Sequence, residues 1–293
     1  MNKMLRFMQK FLGKRSNSIE LQQHHKRPWK SLYFHHIGKT GGISFAEMLA
    51  STIGKDRTYP NWGVSSDLLR DKSQYVLFAG HFPFDVAVLL PQPVTVVTTV
   101  REPLEHILSI YNHLRRSDGK HLILAHRTKP LTTFDDFLRD PVLAHITTNP
   151  QTHSLGRQIA REEILGCARR IQAVDWLETG SRDDFWCLYG SRDEDRNDHA
   201  LLEKACWRVA QPWVFAYLCE DMSADLSNIF SDLHLQPPKE FLDSPLRINA
   251  KPSDPSMLAR DDLSELQVAE IFLRTQLDHK LYEYVRRSRV EFS

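Results

Sequence analysis

Cysteine is scarce: the 293 residues hold four, Cys167, Cys187, Cys206 and Cys219. They lie far apart, form no CxxC pair and have no histidine at zinc-ligand spacing, so no structural metal or disulfide framework is expected of them. They read as small buried side chains of a chain kept in a reducing compartment. Excess charge of either sign is also missing: 38 Lys and Arg stand against 37 Asp and Glu. That near-neutrality removes the blanket attraction of a dedicated nucleic-acid binder, so any anion site must be local. No run reaches the roughly 18 to 20 uncharged apolar residues of a membrane-spanning helix, and Lys and Arg break the first 15 residues too often for a signal-peptide core. Internal repeats are absent. What remains is an ordinary globular composition, 41% hydrophobic with 12 glycines and 15 prolines. It excludes collagen-like and low-complexity chains and leaves enough length for a sizeable core.

Met4, Leu5, Met8, Phe11 and Leu12 recur at helical spacing, with Lys3, Arg6, Lys10 and Lys14 on the other side. This predicts a short basic amphipathic helix over residues 1–15, suited to peripheral contact with an anionic membrane surface or to packing on its own domain. Residues 1–27 are read as leader and polar linker, and 28–293 as the folded domain. Apolar and β-branched runs predict strands over Leu32–Ile37, Tyr75–Ala79, Val94–Val100 and Val214–Leu218. Between and after them, helical periodicity marks Phe45–Leu49, a helix opened by Pro103 through Leu104, Leu108 and Tyr111, then Phe134–Leu138, Leu155–Ala173, Asp198–Ala210, Asp221–Leu233 and Leu263–Arg287. Leu246–Ser256 reads as a polar loop. Short strands alternating with helices predict an α/β fold of three layers around a mostly parallel sheet.

Ligands of such sheets bind outside the carboxyl ends of the strands, and two of these ends carry anion-seeking residues. After the first strand comes GKTGG, Gly38 to Gly42, where glycines let the backbone curl around an anion and the N–H groups of Gly41 to Ser44 open a helix. Lys39 adds a full charge, and Thr40 and Ser44 add hydroxyls. After the third strand comes Arg101, with Ser109 two helical turns further on. A nucleotide triphosphatase loop would need a glycine five residues before Gly38, where Tyr33 stands, and no Asp follows VTVVTTV to hold magnesium.

The pairing of HHIGKTGGIS (His35 to Ser44) with TTVREPLEHILSIYNH (Thr98 to His113) resembles the sulfotransferase superfamily that uses 3′-phosphoadenosine 5′-phosphosulfate (PAPS), in particular the carbohydrate sulfotransferases of the heparan 2-O type. Weaker similarity in GHFPF, NPQTHSLG, AYLCEDMSADL, RINAK and DHKLYEYV extends it over Ser31 to Arg287. Three positions depart from the pattern: Gly38 replaces a Pro, Ile43 a Thr, and His106 stands where Arg is usual.

The resemblance implies a P-loop-like nucleotide-binding core and sulfuryl transfer from PAPS to a hydroxyl of a carbohydrate or glycolipid acceptor, with no metal and no nucleic acid involved. It assigns the 5′-phosphosulfate to Lys39, Thr40, Gly41, Gly42, Ile43 (through its backbone N–H) and Ser44, and the 3′-phosphate to Arg101 and Ser109. Arg247, Asn249 and Lys251 would close over the adenosine, and Gln151, Thr152 and Arg157 would face acceptor or cofactor. His81, in GHFPF, matches the catalytic histidine, with Asp85 and Glu102 as reserve bases; His35 and His36 are read as strand residues without chemistry. The family's animal members are anchored by an N-terminal transmembrane helix, and with no such apolar run in this sequence the resemblance points to a cytoplasmic enzyme, any peripheral contact being with the inner membrane face. An ATP-dependent kinase and a non-catalytic glycan-binding relative are the alternative readings.

Overall fold

The computed structural model describes residues 28–116, 131, 133–170, 198–242 and 257–290. The leader, Cys187, Arg247, Asn249 and Lys251 lie outside the described residues.

Four strands, β1 (Ser31–His35), β2 (Leu77–Gly80), β3 (Val94–Val100) and β4 (Val214–Leu218), form one sheet in the order β2-β1-β3-β4 with every pair parallel. All four predicted strands are present. β1 stops two residues early, at His35, because His36 and Ile37 turn off the sheet after a last hydrogen bond from His36 N–H to Gly80 O (3.0 Å).

Both faces of the sheet are buried, as the unbroken β-branched run of β3, buried at every position, leads one to expect. Leu32, Phe34 and Val97 pack against α1 (Gly42–Ile53) and a later helix, Leu226–Asp232. Tyr33, Val96 and Val100 point the other way, into a core closed by residues of three elements among others: Leu155, Ala205 and Leu281. Helices thus cover the sheet on both sides. A third cluster joins α2 (Pro103–Arg116) to the helices Phe134–Arg139 and Glu265–Arg274.

Three predicted helices are shorter or broken. Leu155–Ala173 is α3 (Pro150–Gly156) and α4 (Arg161–Arg170), interrupted where Arg208, on α5 (Asp198–Val209), takes the carbonyls of Leu155 (2.8 Å) and Arg157 (2.7 Å). Leu263–Arg287 is α6 (Glu265–Arg274) and α7 (Gln276–Val290), split at Thr275; there Asn149 N–H donates to Arg274 O and Asn149 Oδ1 accepts from Leu277 N–H. Asp221–Leu233 is helical only from Leu226, turns occupying Asp221 to Ala224. Among the described residues no helix is long and apolar enough to cross a membrane, no cluster of candidate metal ligands occurs, and Cys167, Cys206 and Cys219 are thiols, the first buried.

Candidate active site

The turn between β1 and α1 adopts a conformation that most residues avoid. Lys39 and Gly41 both have left-handed backbones, φ 68 and 82; glycine takes this freely, whereas at Lys39 it is strained. Gly42 must lack a side chain for another reason: a Cβ there would collide with the His36 ring lying beneath it. α1 then begins with no side-chain cap and no acidic residue in its first turn. Its opening N–H groups and the positive end of its dipole therefore have no side-chain acceptor, which favours an anion at this helix start. Ile43 is 49% exposed in this first turn and Ser44 is partly exposed. Thr40 differs from expectation. It is fully buried, and its hydroxyl donates to Ile37 O (2.8 Å) and shares a 2.8 Å hydrogen bond with Thr99, so it braces the turn from inside.

Arg101 leaves the end of β3 beside this turn. Gln151, 1% exposed, clamps its backbone from both sides, accepting Arg101 N–H and donating to Arg101 O, each at 2.8 Å. The guanidinium donates to the Lys39 carbonyl (3.3 Å) and pairs with Glu105 (3.6 Å). His106 makes a second bridge: its Nε2–H donates to Gly38 O at 2.7 Å. Burial lowers the His106 pKa to about 4, opposed by that carbonyl and assisted by Arg101 and Lys39, so it acts as a neutral strut. The two sequence segments, about sixty residues apart, therefore meet at one edge. Ser109 lies one turn beyond Glu105 on the same face of α2 and is partly exposed.

His81 follows the end of β2. Its N–H donates to Trp62 O (2.7 Å), and its Nδ1 lies 3.0 Å from His36 O. A carbonyl only accepts, so Nδ1 carries the proton and the lone pair is on Nε2. Gly38 is adjacent: a Cβ there would lie 3.7 Å from His81 Cε1. His36 stacks on His81 at 4.4 Å and on Phe34 at 5.5 Å. Burial first, then the neighbouring His81, His35 and Lys39, hold its pKa well below the ordinary value. His35, beneath, is buried too and is lowered to about 3. These two histidines are strand-end residues, as read, but His36 shapes the site.

Other expectations are corrected. Asp85, a reserve base, is committed to Arg208 at 2.6 Å and to Ile159 N–H at 2.9 Å. Glu102 accepts Glu105 N–H (2.8 Å), serving the start of α2, and its own N–H donates to Glu220 (2.9 Å). Thr152 is buried with its N–H on Asp278 (2.7 Å), and Arg157 is buried with its carbonyl on Arg208. Neither they nor Gln151 line an open face. Nothing in the sequence pointed to Trp62, and Gln151 was expected only to face acceptor or cofactor, not to clamp Arg101. The strut role of His106 was signalled by its departure from the Arg of the resembled pattern.

No family model matches the chain, and no curated protein is significantly similar to it.

Proposed function

We propose that this chain is a PAPS-dependent sulfotransferase, with a P-loop-like core, that transfers the sulfuryl group to a carbohydrate hydroxyl. The observation that carries the reading is the Arg101 guanidinium on the Lys39 carbonyl at 3.3 Å. It brings both anion-seeking segments to one sheet edge, where a nucleotide phosphorylated at two positions needs two cradles. The uncapped start of α1, the left-handed Gly41 and the Lys39 charge suit a phosphate held largely by backbone N–H groups. Arg101 and Ser109 suit the second phosphate, Arg101 exchanging its Glu105 contact for it.

The donor, when bound, supplies the sulfuryl group and a phosphate leaving group. Nε2 of His81 takes the proton of the acceptor hydroxyl as that oxygen forms its bond to sulfur. The bond from sulfur to the phosphate oxygen breaks, its electron pair leaves on the phosphate, and Lys39 neutralises the growing charge. The order β2-β1-β3 sets His81 and Arg101 on opposite flanks of the turn, so an acceptor reaches the base clear of the arginine that takes the 3′-phosphate.

The test is a thermal shift of the full chain with adenosine 3′,5′-bisphosphate and with ATP, with and without a chelator, together with turnover of labelled PAPS. Stabilisation by the bisphosphate that ignores the chelator is expected. A magnesium-dependent preference for ATP would establish the kinase reading instead.

A further inference from the structure

An acceptor approaching His81 comes from the β2 flank, since Arg101 holds the β3 flank. The aromatic ring standing on that flank is Trp62. Its loop is drawn tightly over the strand end: Trp62 O accepts His81 N–H, and a Cβ on Gly80 would lie 2.5 Å from that oxygen, so glycine is what lets the loop sit there. The partly exposed indole stands 6.4 Å from the His81 ring, inclined at 45°, and meets the His36 ring edge-on at 6.0 Å. Indole and base thus stand side by side at this strand end, their planes inclined to one another.

We propose that Trp62 is the acceptor platform, and that the acceptor it selects is a cyclic sugar. A pyranose ring has apolar C–H faces and hydroxyls around its rim. Lying on the indole, it buries one face against a flat, partly desolvated surface and directs its rim towards Nε2 of His81. An open-chain polyol has the hydroxyls but no flat face, and orders more torsions on binding. The proposal rests on the sulfotransferase reading and narrows its acceptor.

Saturation-transfer NMR on the full chain with adenosine 3′,5′-bisphosphate present tests it, with dextran, chitin and chondroitin oligosaccharides as ring-bearing probes and galactitol as the open-chain control. At least one oligosaccharide is expected to receive saturation on its ring C–H protons, with galactitol receiving little. Trp62→Leu, which fills the space without a flat face, should weaken that oligosaccharide roughly tenfold, and Trp62→Phe should restore most of the loss. Bisphosphate binding should be equal in all three proteins. If the wild type fails to bind the bisphosphate, the sulfotransferase reading falls and the platform with it. If the bisphosphate binds, three outcomes each overturn the platform alone: no oligosaccharide signal, galactitol signal of equal strength, or a signal indifferent to Trp62→Leu.

Discussion

Lys39 holds a left-handed backbone that costs a side-chain-bearing residue about 1–2 kcal/mol. The strain persists because the peptides on either side of it are tethered: Gly38 O by His106 and Lys39 O by Arg101. In a planar trans peptide the N–H points opposite to the carbonyl, so drawing Gly38 O towards α2 directs Lys39 N–H away from it. His106→Leu should therefore weaken bisphosphate binding about tenfold while leaving the melting temperature within a few degrees, measured by calorimetric titration and thermal scan. His81 and Asp85, four residues apart, predict opposite phenotypes. His81→Ala should lower kcat by about 10²- to 10⁴-fold with donor affinity unchanged, the mark of a lost general base. Asp85→Ala leaves Arg208, 3% exposed, without its carboxylate; it should destabilise the fold by about 3 kcal/mol, yet the molecules that do fold should turn over normally. A kcat loss in Asp85→Ala matching that of His81→Ala would reverse the two roles.

At the level of elements, what was legible and what was not follow from the range of the interactions involved. β3 could be read to the residue, because a β-branched run buried on both faces carries its own signal. The turn at GKTGG and the strand end at Arg101 were legible because glycines, charge and strand boundaries are local features. The breaks in the long helices were not: the α3–α4 break depends on Arg208 and the α6–α7 break on Asn149, 128 residues from the N–H it caps. The same holds for Gln151, which the resemblance set facing acceptor or cofactor, whereas it fixes the backbone of Arg101 from another element. Gln151→Ala would leave a buried N–H and C=O at Arg101 without partners, a loss of about 2–4 kcal/mol. Arg101 would then be misaimed. Its affinity for adenosine 3′,5′-bisphosphate should fall more than its affinity for adenosine 5′-phosphosulfate, which lacks the 3′-phosphate; equal losses for the two nucleotides would mean that Gln151 serves packing alone.

Across the whole molecule, the fold keeps buried imidazoles uncharged, His35, His36 and His106 at the site and His145 in the short helix Ala144–Thr147, and this sets its response to acid. His35 is lowered to about 3, His106 and His145 to about 4, and His36 well below its ordinary value, in each case mainly by burial. In the unfolded chain each titrates near 6.5. Between these values the unfolded state binds more protons than the native one, so stability is complete above about pH 7 and is lost as pH falls through 6.5 towards 4. Asp278 has the opposite sign. Burial raises it to about 6 despite the N–H groups of Gln151 and Thr152, so between about 4 and 6 the native state holds a proton that the unfolded chain releases. One carboxyl offsets one imidazole. Over these groups the imidazoles outnumber the carboxyl, so unfolding takes up protons between about pH 4 and 6.5, and each proton makes stability fall by about 1.4 kcal/mol per pH unit. The melting temperature should therefore drop steeply from pH 7 to pH 5. His106→Gln, which keeps a donor for Gly38 O and removes the titration, should flatten that slope by about one proton. Asp278→Asn should steepen it by removing the opposing group. A melting temperature unchanged between pH 7 and pH 5 would mean that these imidazoles are not held neutral by burial, and the neutral strut between Gly38 and His106 would have to be abandoned.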